Sequence, residues 1–209
     1  DPETSAWTET GHFDPALLPD SIEGVILARI DRLEDDAKQL LKVAAVIGRR
    51  FFYRVLNAIG DGAIALDDEL AKLVRAEFID RKQQLPELEY IFTHPLIQQA
   101  SYRSLLDERR RLLHRRVGET IEQLFQARLE EFYSVLAYHY AQAEHWSKAQ
   151  EYLLKAADHA GGMAADAEAL ELYQRALAAS EKSTQGQMTP LQRAELDSKI
   201  GEALYRSGK

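Results

Sequence analysis

The sequence contains no cysteine. Disulfides and thiolate metal sites are therefore excluded, and the absence fits a reducing compartment. No apolar run approaches the roughly 20 residues that cross a bilayer, so the sequence predicts no membrane partner. Basic residues are in deficit, with 26 Lys and Arg against 34 Asp and Glu and a net charge of -8. That balance opposes nonspecific attraction to nucleic acid and to anionic lipid. Phosphate-loop chemistry is missing too, since no Gly-x-x-x-x-Gly-Lys-Ser/Thr occurs. Lys182-Ser183 lacks both glycines, with Glu181 where the second would stand. The histidines His12, His114, His139, His145 and His159 form no zinc spacing and read as solvated or partly buried structural residues. With no nucleophile–base pair, metal cluster or phosphate loop, the sequence predicts no enzyme and no cofactor held by these residues.

What is present is helical periodicity. Residues 1–19 are rich in Asp, Glu, Thr, Gly and Pro and read as a lead-in or linker. Asp20 or Ser21 can cap a helix from about Ile22 to Leu33, with Ile22, Val25, Ile26, Ile30 and Leu33 inward. A second helix is expected over Asp35 to Ile47, with Ala37, Leu40, Leu41, Ala44 and Ile47 inward and Gly48 as its stop. A short one near Tyr53 to Ile59 ends at Gly60-Asp-Gly62. A fourth covers Ala65 to Ala76 through Leu66, Leu70, Leu73 and Val74. The period then shifts towards two. Phe78 to Lys82 and Glu89 to Thr93 flank a polar turn with Pro86 and predict one β-hairpin. Helices at about Pro95 to Leu106 and Asp107 to Gln126 follow. Helices and then one hairpin is the order of a winged-helix-like domain, here assigned to residues 20–127 with its linking helices.

Residues 128–209 repeat. Tyr133, Leu136, Ala137, Tyr140, Ala149, Leu153 and Ala156 lie at offsets 0, 3, 4, 7, 16, 20 and 23. That is the tetratricopeptide pattern of large and small residues, in which small side chains let antiparallel helices approach. The same offsets recur in Leu153, Ala156, Ala157, Ala160, Ala169, Tyr173 and Ala176, so one helix near Ser147 to His159 serves two pairs. A third start is expected at Ile200, Gly201, Leu204 and Gly208. An unfinished repeat leaves apolar surface uncapped, and together with a start lacking Met it suggests a piece of a longer polypeptide. The predicted fold is mainly α: a winged-helix-like domain with one β-hairpin, then an α-solenoid of tetratricopeptide-like hairpins.

The one residue singled out as a site candidate is His94. It ends the apolar run Tyr90-Ile-Phe-Thr-His94 and precedes Pro95, which suits a first helical turn. Its side chain therefore sits at a strand-to-helix corner whose backbone fixes its direction. The competing reading is a corner histidine bonded to a nearby backbone group. Arg109, Arg110, Arg111, Arg115 and Arg116 read as the wet face of a helix whose dry face is Leu112, Leu113, Val117 and Ile121. Tyr133, Tyr140, Tyr152 and Tyr173 read as repeat packing. The helix before the hairpin carries Asp67, Asp68 and Glu69 against Lys72 and Arg75, which argues against DNA binding.

Three blocks resemble a known family. Leu18-Pro-Asp-Ser-Ile-Glu-Gly-Val-Ile-Leu-Ala-Arg-Ile-Asp-Arg-Leu33 is similar to the segment after the ATPase core of bacterial signal-transduction ATPases with numerous domains. Leu41-Lys-Val-Ala-Ala-Val-Ile-Gly-Arg-Arg-Phe51 resembles the next block, and Phe92-Thr-His-Pro-Leu-Ile-Gln-Gln-Ala-Ser-Tyr-Arg-Ser-Leu-Leu106 with Arg109-Arg-Arg-Leu-Leu-His114 a third. The resemblance runs from about Leu17 to Ala178. It implies a regulatory segment attached to an ATPase domain of the same polypeptide, which binds ADP or ATP, and to a cyclase or LuxR-type output. It also implies a phosphate-sensing role for His94, by similarity to the histidine of a Met-His-Asp motif in related NLR and plant resistance proteins. Thr93 and Pro95 replace the Met and Asp, so only the histidine's role carries over. The repeats would engage a protein or peptide. A free-standing tetratricopeptide adaptor and a winged-helix DNA-binding regulator are the alternatives.

Overall fold

A computed structural model describes residues 22–60, 65–83, 87–183 and 187–206. It is mainly helical, with one small sheet. The expected lead-in, the caps Asp20 and Ser21, His12, the Asp61-Gly62 stop, Pro86 and Gly208 lie outside the described residues.

The elements in the first half are α1 (Ile22–Asp31), α2 (Asp35–Ile47), β1 (Arg50–Phe52), α3 (Tyr53–Ile59), α4 (Leu66–Arg75), β2 (Ile79–Gln83), β3 (Leu88–Phe92) and α5 (Pro95–Arg103). α2 and α3 have the boundaries the sequence predicts. α1 stops two residues short of Leu33, and Val25, expected inward, is 47% exposed. Ile26 and Ile30 carry its packing instead. Gly48 ends α2 at φ 145°, donating its N–H to the Ala44 carbonyl at 3.2 Å. A side chain there would be strained, which is why glycine stops the helix.

The sheet holds three strands rather than a lone hairpin. β1 is the addition, and the order is β1-β3-β2, all antiparallel. Phe51 pairs with Tyr90, which pairs in turn with Arg81, and Ile79 pairs with Phe92. Phe51, Tyr90, Phe92 and Ile79 are buried on one face, where Phe51 stacks on Tyr90 at 5.8 Å. Arg50 grips the buried Glu89 through two bonds of 3.0 and 2.7 Å. The bidentate fork compensates that carboxylate for its lost water. A first core, built on Leu40, Leu41, Ala44, Leu56, Leu70, Leu73 and these strands, lies between α1, α2, α4, α5 and the sheet.

The second half comprises α6 (Asp107–Leu124), a 3-10 segment (Gln126–Phe132), α7 (Tyr133–Gln142), α8 (Trp146–Gly162), α9 (Asp166–Lys182) and α10 (Pro190–Arg206). α8 packs on both α7 and α9, as the overlapping offsets predict. Two successive turns are built alike. His145 N–H bonds the Tyr140 carbonyl at 2.9 Å, and twenty residues on, Ala165 N–H bonds the Ala160 carbonyl at 3.0 Å. Glu144 and Ala164 take the left-handed conformation in the two turns, at φ 56° and 59°. The twelve residues at the offset positions of the first two repeats are all buried except Tyr133, which is half-buried. The third start is out of phase. Gly201 is exposed, and Leu196 and Ala203 are the residues α10 buries. Leu112, expected dry, is 48% exposed, while Leu113, Val117 and Ile121 are buried as predicted.

Gly118 on α6 makes the closest of these approaches. A Cβ placed there would stand 3.0 Å from Cζ of Tyr140. Gly118→Ala should therefore cost about 1–3 kcal/mol despite the gain in helix propensity. Urea unfolding measures it. A stabilised alanine variant would show that the ring moves aside freely.

Candidate functional site

β3 delivers His94 to a corner clamped from both sides. Phe92 N–H bonds the Arg49 carbonyl at 2.9 Å, ahead of β1. Thr93 N–H bonds the Phe78 carbonyl at 3.1 Å, and its hydroxyl is shared between the Glu77 and Phe78 carbonyls at 2.7 and 3.1 Å. Thr93 thus fastens the corner to the start of β2. Pro95 occupies the first turn of α5 and holds His94 extended, at φ -126° and ψ 136°. On the other side Gln98 donates to the Ala45 carbonyl at 2.7 Å and ties α5 to α2.

His94 itself is exposed, and its side chain forms no cap bond to α5. Its carbonyl, not its ring, accepts the N–H of Ile97 at 3.1 Å. The backbone-bonded reading of this histidine is thus not realised among the described residues. The imidazole is held by a rigid frame and left open to solvent. It is free to donate to, or accept from, a group brought against this face.

The other histidines divide differently from expectation. His114 and His139 are each 1% exposed, which corrects their reading as solvated or partly buried. Their Nδ1 atoms meet at 2.8 Å, and Tyr102 Oη lies 2.9 Å from His114 Nε2. The contacts link α5, α6 and α7, and one Nδ1 of the histidine pair donates while the other accepts, so the two rings cannot both be protonated there. Burial, seconded by Arg110, lowers His114 to about 4, and burial with His114 alongside lowers His139 to about 3. Twenty-five positions separate the two histidines, so only the tertiary fold brings them together.

Four of the five clustered arginines and the repeat tyrosines are engaged in structure, while Arg109 is exposed. Arg110 bonds Asp107, Arg111 pairs with Glu144 at 2.7 Å, and Arg115 with Glu119 at 2.8 Å. Arg116 reaches across to the Ile59 carbonyl at 3.1 Å. Tyr140 stacks on Tyr152 with rings 5.8 Å apart, and Tyr133 lies 6.1 Å from Tyr152. Tyr152 donates to Glu122, which also pairs with Lys148 at 2.7 Å. Burial opposes ionisation of Glu122, but Lys148 and Tyr152 outweigh it and hold the carboxyl below its usual range. This knot ties α6 to α8. Among the described residues no three His, Asp or Glu side chains converge as metal ligands, and no helix is long and apolar enough to cross a membrane.

Two comparisons with known proteins found no match: neither a protein-family model nor a curated protein resembles this chain closely enough to identify it.

Proposed function

We propose that this chain is a non-catalytic regulatory segment of a nucleotide-switched, cytoplasmic signalling ATPase. On this reading residues 20–127 form a winged-helix-like unit, and residues 128–209 form tetratricopeptide-like hairpins. The succession α2, β1, α3, α4, β2, β3 with sheet order β1-β3-β2 supports the first assignment. The twin turns at Glu144 and Ala164 and the alanine-lined contacts of α8 support the second. The observation that carries the proposal is the His94 corner. A backbone clamped on both sides with an unused, exposed imidazole supports a role for that ring towards a group outside these residues. An imidazole N–H aimed at a phosphate of a nucleotide held by a neighbouring ATPase domain fits that arrangement.

The hairpins would carry the input. A cleft between the 3-10 segment and the turn joining α8 to α9 is lined by Glu130, Tyr133, His159, Met163 and Glu168, and suits a protein or peptide ligand. Ligand binding there would favour release of the clamp, and the coupling must be reciprocal.

In the polypeptide that includes the ATPase domain, His94→Ala should speed ADP dissociation about tenfold, the loss of one charge-assisted hydrogen bond. Stopped-flow release of a fluorescent ADP measures it. An unchanged release rate overturns the sensor role, and a full-length polypeptide without a phosphate loop overturns the whole reading.

A further inference from the structure

The cleft between the 3-10 segment and the α8–α9 turn is charged in one sense only. It holds about 290 Å³. Glu130 and Glu131 line it from the 3-10 segment, and Glu168 from the first turn of α9. None of its lining residues is a lysine or an arginine, and His159 is the one lining side chain able to become cationic. The apolar lining is small. Ala156 and Ala160 lie one turn apart on α8, and Ala165 precedes α9. Met163 completes it. Its N–H is fixed by the His159 and Ala160 carbonyls at 3.2 and 3.1 Å, yet its side chain is 71% exposed.

The carboxylates of this rim are not neutralised from within. Glu130 and Glu168 are exposed and pair with no cation among the described residues. Glu131 meets Arg128 only at 3.8 Å. Arg128 is also bonded to Glu87 at 3.4 Å and lies over the Phe125 ring at 5.0 Å. Lys155, one turn before His159, is held by Glu151 at 2.7 Å and sits over the rings of Tyr152 and Tyr133 at 4.9 and 5.9 Å. Among the described residues no three His, Asp or Glu side chains converge as metal ligands. The negative charge is therefore spread around an opening rather than gathered on one ion.

We infer that this cleft binds a basic, apolar segment of a partner protein, seating a leucine-sized side chain against Tyr133, Ala160 and Met163 and setting lysine or arginine side chains against Glu130 and Glu168. The inference rests on the peptide-binding reading of the hairpins and adds the chemical class of the ligand. A flexible thioether adapts to an apolar partner, and apolar contact supplies what exposed ion pairs lack. Nucleic acid and anionic lipid are poor occupants, because the rim repels phosphate.

The test is fluorescence anisotropy of a short fluorescein-labelled peptide of lysine and leucine, titrated with the 209-residue chain. Binding should saturate, and a glutamate–leucine peptide of equal length should not bind. The E130K/E168K variant should bind the lysine–leucine peptide about tenfold more weakly or worse, as expected for two reversed rim charges. Met163→Asp should weaken binding independently. The D80K/E181K variant makes the same change of net charge on β2 and at the far end of α9, and should bind like the parent. Circular dichroism checks that all three variants fold. Equal weakening by D80K/E181K and E130K/E168K overturns the inference, since net charge alone would then explain the binding. So does self-association of the chain that E130K/E168K abolishes, which would assign the cleft to a second copy. A glutamate–leucine peptide that binds as well, and is weakened by Met163→Asp, overturns the charge class but leaves the hairpins a peptide platform. Saturation by neither peptide removes both. ADP release from the His94 variant is measured without peptide, so its outcome stays separate.

Discussion

Moving from pH 7.5 to pH 5 should remove about 4 kcal/mol of stability through His114 and His139 alone. Both rings are buried and neutral, with folded values of about 4 and about 3 against an ordinary 6.5. The sign follows from proton counting. Between pH 6.5 and 4 the unfolded chain takes up two protons that the folded chain refuses. Stability is therefore full above pH 6.5 and falls as the pH drops through that window. Most carboxylates titrate below it, so the range from pH 6.5 to 5 isolates the histidines. Urea midpoints measured across the range should slope steeply in the parent chain. The H114N/H139N variant, less stable at pH 7.5, should show a much flatter slope. Equal slopes would mean that the rings are already solvated. A loss of this size is serious for a protein whose total stability lies in the usual span of about 5–15 kcal/mol.

The second large effect belongs to Tyr140. Its ring is 1% exposed, lies against Gly118 of α6, and stacks on Tyr152 of α8 at an interplanar angle of 7°. Tyr140→Ala deletes a whole ring from the centre of three packed helices and should cost about 4 kcal/mol in urea or thermal unfolding. Tyr140→Phe should cost less than about 1 kcal/mol. The hydroxyl is buried without a hydrogen-bond partner among the described residues, so little is lost with it. Comparable losses in both variants would show that the hydroxyl, not the ring, holds the helices together.

These two sites show where sequence reasoning reached and where it stopped. α2, α3 and the hairpin were legible because their signals are local: a 3.6-residue period ended by Gly48, then a period of two around a polar turn. The repeat offsets were legible for the same reason. α8 does serve two neighbours, and its alanines do line both contacts. The corner at His94 could be placed because Pro95 constrains the residue before it. β1 was missed because three residues, Arg50, Phe51 and Phe52, carry no periodicity, and their partner strand lies about forty positions downstream. Val25 and Leu112 were assigned inward by a helical wheel that does not know where neighbouring helices end. The histidine pair was invisible for the plainest reason. Its members sit on different helices, and only the packing of α6 against α7 brings the rings into contact.

The cores also meet without a clean border. Val46, Val55 and Ile59, from α2 and α3, belong to the same cluster as the helices after Asp107, while Val43, Ile47 and Tyr102 touch both clusters. No single cut of the backbone respects that arrangement. A protease that severed the chain after Ala127 would strip the lining from one fragment and leave sticky aliphatic side chains on the other. The two halves of the sequence share one buried interior, in which Val46, Val55 and Ile59 pack with residues of the later helices.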